Sequence, residues 1–548
     1  MLLCPFWVNR IKALPTESPS AIRLGDILHC DAENPDERWT HVVLANYLID
    51  PEWLLRVAPA ITCTSRQLFI ITGERGFAHH FASSTMAAHM GAGRVTVIEP
   101  PMPLPFGVHH TKLVLGINSR GLRVAVLTAN FIEEDWDMKA QGIYMQDFPR
   151  SLTPDKEGRY TAQSATLQEG RGERFRSELR RYLHSYGLLS DENGLKGIPP
   201  SHFDGIDFSS ASVELIASVP GYHRGGEAYS FGMGRLLKVV QSVQMGPILD
   251  GGKPILTWQF SSQGLLTEKF LKSLEDAMLG NHAVGATDRR PEPEVRVVYP
   301  TESEVKNSLE GWRGGMSLPV RLRCCHPYIN ARMHRWCHRG VSEAVNKPVR
   351  GRAMPHLKTY MRLAEGEDSL HWFLLTSANL SRAAWGEWQR NGSQLAIRSY
   401  ELGVLYDSKS FINCAEGELF VVTPSRRIPL PSSVEGDGLL RLHIRAGAND
   451  IIGEAPVLFL PYDALHPEPY ESTLQLRKNH GSSVENESHA PLSTKDVPWV
   501  VDAPHHGRDA LGKKFLEAVG CATKTCLGGL EPSKTDRGES VFEQNKRF

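Results

Sequence analysis

Two stretches decide the reading of this 548-residue chain: HHTKLVLGI at 109–117 and PHLKTYMRL at 355–363. Each puts a His-x-Lys triplet at the opening of a short apolar run with strand composition. Working outward, the first is followed by LTANFIEEDW (127–136) and the second by LTSANLSRAAW (375–385). Eighteen residues separate Lys112 from Asn130 and 21 separate Lys358 from Asn379; Trp136 and Trp385 each lie six residues beyond their Asn. A single His-x-Lys is weak, because chance supplies it often. Two copies with matching Thr, Asn and Trp are an internal duplication, and they set the organisation of the whole chain.

The rest of the sequence fits a chain built twice. RQLFIITG (66–73), RVTVIEPP, TKLVLGIN and LRVAVLTAN in the first half read as short strands or buried segments punctuated by Gly, Asn and Pro. KPILTWQFSS, VRVVYP, HWFLLTSANL and ELGVLY repeat the theme in the second. RGERFRSELRRYLHSYG places Phe175, Leu179 and Leu183 at helical spacing and ends on Gly187. This alternation predicts an α/β protein. The expected division is an N-terminal domain over 1–207, a C-terminal domain over 208–530, and a polar, disordered tail over 531–548. ATDRRPEPEV (286–295) and RKNHGSSVENESHAPLSTKD (477–496) read as surface loops.

Composition excludes some classes. The chain is 41% hydrophobic and 22% charged, ordinary for a globular protein, with net charge −1 and hence no global basicity toward nucleic acid. No apolar run approaches the roughly 18 residues of a membrane span, and the first residues make a poor secretory signal. Nine scattered cysteines point to a reducing compartment. The charge is unevenly placed: from Val320 to Arg362 there are ten Lys or Arg and one acid, Glu343. CCHPYINARMHRWCH (324–338) lacks the paired spacing of a structural zinc site. It reads as a basic helix with incidental thiols, and no metal site is assigned.

Residues two apart on a strand share a face, so His110 pairs with Lys112 and His356 with Lys358. His109 faces the other way and reads as a packed structural histidine. Two such strands brought together would assemble two imidazoles, two ammonium groups and two carboxamides, much the set that phosphodiester transfer needs. Lys112, Lys358, Asn130 and Asn379 would stabilise charge growing on the phosphoryl oxygens. One imidazole could attack phosphorus, and the other could donate a proton and later activate water. Lysines would take over the charge neutralisation a magnesium ion gives, so no cofactor is assigned.

With HHTK, DW, QGIY, AMPHLKTYMR, TSANLSRAAWG and IRSYELGVL in view, the chain resembles the tyrosyl-DNA phosphodiesterase branch of the phospholipase D superfamily from about Pro5 to near residue 515. Lipase-type members carry an Asp five residues after the Lys; here those positions are Ile117 and Leu363. The resemblance implies duplicated phospholipase D-like α-β-α sandwich domains with mixed sheets and an active site at their pseudo-twofold interface. It implies His110 as nucleophile, His356 as general acid and base, and Gln141 and Glu401 orienting the histidines, Glu401 near His110 and Gln141 near His356. Ser261 and Ser262 in WQFSSQG become candidate DNA-phosphate contacts, and Phe106 a candidate base-stacking side chain or else a core aromatic. The implied reaction removes a topoisomerase I-derived tyrosyl peptide, and other 3′ adducts, from the 3′ end of largely single-stranded DNA in the nucleus. A monomer with no membrane partner is expected, starting almost at the catalytic core. The alternatives are another phospholipase D-type nuclease or lipid hydrolase, and an inactive DNA-binding relative.

Overall fold

The run LVLGI is entirely buried, and its alternate residues serve two different cores: Leu113, Leu115 and Ile117 enter one, Val114 the other. Period-two alternation between two apolar layers is what a strand covered on both faces requires. The computed structural model describes residues 3–14, 20–64, 66–91, 93–150, 170–188, 197–198, 203, 205–243, 245, 252–281, 292–342, 348–364, 368–411, 421–425, 439–445, 455–471 and 496–519. The tail expected at 531–548 and nearly all of the 477–496 loop lie outside them, as does most of 286–295.

The first half forms an eight-stranded mixed sheet from β1 (Phe6–Asn9), β2 (Ala21–Ile22), β3 (His41–Ala45), β4 (Gln67–Ile71), β5 (Val95–Ile98), β6 (Leu113–Ile117), β7 (Gly121–Leu127) and β8 (Gly142–Pro149). The second contributes β9 (Glu214–Ser218), β10 (Gly221–Arg224), β11 (Ile255–Gln259), β12 (Glu294–Val298), β13 (Met333–His334), β14 (Thr359–Leu363), β15 (Leu370–Thr376), β16 (Glu387–Gln389), β17 (Gln394–Ile397) and β18 (Glu401–Tyr406). Seven of these form the second large sheet, while β10, β17 and β16 make a small one. A further hairpin joins β19 (Leu440–His443) and β20 (Val457–Leu460).

Topology makes the duplication explicit. The first sheet runs β5-β4-β3-β6-β7-β8-β1-β2 and the second β13-β12-β11-β14-β15-β18-β9. In both, the first three strands are mutually parallel and the next four pair antiparallel. β6, β7 and β8 therefore correspond to β14, β15 and β18. The two sheets share a core: Phe6 meets Phe373 edge-on at 5.5 Å between ring centroids, and Tyr144 meets Tyr406 at 6.4 Å. A Cβ on Gly142 of β8 would fall 2.6 Å from Leu375 Cδ1 of β15, so the two sheets approach closely here. The outer face of the first sheet packs on Trp39, Trp53 and Trp136. The helix Arg171–Ser185 buries Phe175, Leu179, Tyr182 and Leu183, a single stripe, as its spacing predicts.

Two local expectations differ. The His-x-Lys triplets precede their strands, which begin at Leu113 and Thr359. The cause is pairing elsewhere: His109 bridges Tyr400, and Pro355 bridges Ala140, pulling these extended segments off the sheet ladder. Residues 324–338 are no single helix. Pro327 opens a four-residue helix that stops at Asn330, and Met333 and His334 then join the sheet edge as β13.

Candidate active site

Each extended triplet is stitched to the other half of the chain. His110 N–H donates to the Tyr400 carbonyl at 3.0 Å, and Tyr400 N–H to Val108 at 3.0 Å. In the mirrored arrangement, His356 and Leu357 N–H both donate to the Ala140 carbonyl, and Ala140 N–H donates to Met354. Tyr400 and Ala140 immediately precede Glu401 and Gln141, at the openings of the equivalent strands β18 and β8. Each histidine thus meets the chain at the start of a strand of the other half.

The His110 Nδ1 atom lies 3.0 Å from Glu401 Oε2 and 3.0 Å from the Ser377 carbonyl. Between two acceptors that nitrogen carries the proton, so the Nε2 lone pair is the reactive end. The Ser377 hydroxyl also donates to Glu401 Oε2 at 2.6 Å. Burial raises the Glu401 carboxyl, but the His110 imidazole, these hydrogen bonds and Lys112 outweigh it and hold it below the usual range. Burial and then Lys112 push the His110 imidazole down, against Glu401. On the second histidine, Gln141 Nε2 lies 3.3 Å and Asp135 Oδ2 3.2 Å from His356 Nδ1. Burial, followed by Lys358 and Lys112, pushes this imidazole well below its ordinary value.

Lys112 and Lys358 are fully buried. Each ammonium spends one of its three N–H donors on the carbonyl of the histidine two residues before it, Lys112 at 2.8 Å. Desolvation pulls Lys112 down to about 8, with Glu401 and Asp135 opposing, and drives Lys358 well below its usual range. The free site therefore holds positive charge that it would give up easily and that an anion would stabilise.

The Asn379 Oδ1 atom accepts from Ser261 N–H at 3.2 Å, the Ser261 hydroxyl at 3.2 Å and Ser262 N–H at 2.9 Å. With its oxygen so used, its amide nitrogen is the end left to donate. Asn130 is buried, and its Oδ1 has no hydrogen-bond partner among the described residues. Phe106 is 65% exposed at φ 62°, which removes the core-aromatic reading. Its neighbour Gly107 packs so closely on the Arg398 carbonyl that a Cβ would fall 1.8 Å away. His109 is buried and bonds Tyr186 at 3.1 Å, a packed position as parity implies. Ile117 and Leu363 are buried at the far ends of β6 and β14.

Part of the basic block is spent on partners within the fold. Arg335 and Arg339 pair with Asp496, Arg350 donates to the Asn9 carbonyl and Arg352 to Asn307. Sequence reasoning missed two residues at the site. Tyr47, just past β3, lies edge-on to His110 at 5.5 Å, with Lys112 Nζ 5.7 Å from its ring centroid. Asp135 stood in the DW pair of the resemblance without a role; its place five residues after Asn130, where the second copy has Ala384, was the signal.

Two sheets of one topology, each bringing a His-x-Lys-Asn set to a shared interface, define a phospholipase D-type fold. The family model described as tyrosyl-DNA phosphodiesterase matches residues 5–471. The chain belongs to the tyrosyl-DNA phosphodiesterase family. It is 31% identical over 523 residues to tyrosyl-DNA phosphodiesterase 1 of Arabidopsis thaliana, covering 93% of this chain and 76% of that protein. To the Drosophila melanogaster protein of the same name it is 29% identical over 407 residues, 72% of this chain and 64% of that one. The crystal structure of the yeast tyrosyl-DNA phosphodiesterase superposes with a TM-score of 0.52 at 20% identity, covering 74% of this chain and 90% of that one, which is a likeness of fold. Among the described residues, no helix is long and apolar enough to cross a membrane.

Proposed function

We propose that this tyrosyl-DNA phosphodiesterase cleaves the 3′-phosphotyrosyl bond through a phosphohistidine on His110. The observation that carries the reading is the unlike pairing of the two imidazoles: His110 Nδ1 lies between two acceptors, while His356 Nδ1 faces both a donor and an acceptor. His110 Nε2 attacks phosphorus, the bond to the tyrosyl oxygen breaks, and His356 gives that oxygen its Nε2 proton. Phenolate is a moderate leaving group, with a pKa of about 10 when free, so the proton lowers the barrier. Water then attacks phosphorus, His356 takes its proton, and the phosphorus–nitrogen bond breaks to leave a 3′-phosphate. Lys112, Lys358, Asn130 and Asn379 hold the phosphoryl oxygens. The bound phosphate's negative charge raises both depressed imidazoles toward working pH.

Ser261 and Ser262 set the Asn379 amide and lie on the DNA path, and the exposed Phe106 ring stacks on a base. The substrate class is DNA bearing a topoisomerase I-derived tyrosyl peptide or another 3′ adduct, since the histidines recognise phosphorus rather than the group behind it. The duplicated chain supplies both half-sites, so it works as a monomer, with halves divided near residue 207, and its substrate sets the nucleus as its place of action.

The test is single-turnover cleavage of a 3′-phosphotyrosyl oligonucleotide in EDTA by the intact protein, His110→Ala and His356→Ala. Tyrosine release by the intact protein, loss in the first variant and an accumulated protein–DNA adduct in the second are expected. Cleavage that needs added metal, or no cleavage, overturns the reading.

A further inference from the structure

Resting on that reading, we propose that Asp135 is the positioning residue of His356, accepting the Nδ1 proton so that Nε2 can serve as the base in the second half of the reaction. The problem it solves is set by Gln141. The Thr128 hydroxyl donates to Gln141 Oε1 at 2.8 Å, and Gln141 Nε2 donates to the Asp135 carbonyl at 3.0 Å. These two bonds fix the amide with its NH2 group toward His356 Nδ1. Alone, that donor favours the tautomer with the proton on Nε2, which has no lone pair to accept a proton from water. The neutral imidazole left after proton donation to tyrosine must keep its proton on Nδ1, and it needs an acceptor there.

The Asp135 carboxylate is the acceptor within reach. Its Oδ2 lies 3.2 Å from His356 Nδ1, and the same oxygen accepts the Asn130 N–H at 2.7 Å. The group is 3% exposed and sits in the short helix Glu133–Asp137. The bond from Asn130, itself one of the phosphate-holding carboxamides, ties the carboxylate to the other end of the site. The duplication does not supply this group twice. Gln141 immediately precedes β8 and Glu401 opens the equivalent strand β18, whereas the counterpart of Asp135 is Ala384. Each imidazole therefore has one carboxylate close to Nδ1: Glu401, hydrogen-bonded, from a strand for His110, and Asp135, within ion-pair distance, from a helix for His356.

Proton balance is simple. Imidazolium His356 gives its Nε2 proton to the tyrosyl oxygen and keeps Nδ1–H on Asp135. In the second step Nε2 takes a proton from water, and the imidazolium is restored with Nδ1–H unmoved. The charges facing His356 are Lys358 on its own segment, Lys112 and His110 from the first half, Lys139 after the short helix, and Asp135. All but Asp135 oppose a proton on His356.

The experiment compares intact protein with Asp135→Asn in single-turnover tyrosine release and adduct hydrolysis across pH. Asparagine keeps an oxygen for Asn130 N–H but removes the charge, so imidazolium His356 is less stable. The alkaline limb of tyrosine release should move down by about one pH unit, and adduct hydrolysis should slow by ~10-fold or more. A uniform loss at every pH, or an unmoved limb, overturns the proposal by leaving Asp135 a structural role only. A second measurement needs neither variant nor turnover: imidazole 15N NMR of the intact protein should show neutral His356 protonated on Nδ1, and protonation on Nε2 overturns the proposal. Absence of tyrosine release by the intact protein would instead count against the reaction itself.

Discussion

Lys112 carries its charge in a fully buried position and is held down to about 8, first by desolvation, with Glu401 and Asp135 opposing. Its folded pKa lies below the unfolded value, so folding bears the full penalty at pH below about 8 and is relieved as pH rises above it. Lys112→Met should therefore raise the unfolding free energy at pH 7 by on the order of 1–3 kcal/mol while abolishing cleavage. Urea titration beside the single-turnover assay checks this; a destabilised variant would show that the ammonium is needed by the fold rather than by the phosphate. At this scale the duplicated His, Lys and Asn were legible because repetition itself was the signal. Gln141 and Glu401 came from resemblance, since nothing local distinguishes them from other polar residues opening strands. Asp135 was visible only within the DW resemblance, with no role attached, and Tyr47 not at all: one lies beside His356 across 221 residues of chain and the other beside His110 across 63.

Among the elements, the strands read from sequence are where they were expected, and the helix Arg171–Ser185 matches its pattern. The exchange between halves came only through the resemblance, which placed Glu401 near His110 and Gln141 near His356; the backbone bridges that make it have no side-chain signature. Those bridges aim the histidines. Ala140 donates to Met354 at 3.0 Å and accepts from His356 and Leu357. Ala140→Pro removes that donor and restrains Lys139 before it. It should cost about 1–3 kcal/mol and slow adduct hydrolysis more than adduct formation, because only the His356 side is displaced. Equal slowing of both steps, read from adduct build-up and decay, would show that the bridge does not position His356.

For the molecule as a whole, acid is the expected weakness. Burial first, then nearby cations, pushes His109 down to about 3 and His371 to about 4. Unfolded histidine binds protons near pH 6.5, so the unfolded chain takes up more protons between that pH and these lowered values. Stability is complete above about pH 6.5 and is lost as pH falls toward 4. The thermal midpoint should fall over that window, and His371→Gln, away from the site on β15, should flatten the fall; a midpoint indifferent to pH contradicts this. The exchange of partners between halves has one more consequence. In a symmetric pair of identical subunits both imidazoles would have to face the same group, and neither could specialise. Joining two copies in one chain lets one position become Glu and its twin Gln, and lets a carboxylate stand at Asp135 where its twin is Ala384. Fusion converts a symmetric pair of bases into a division of labour.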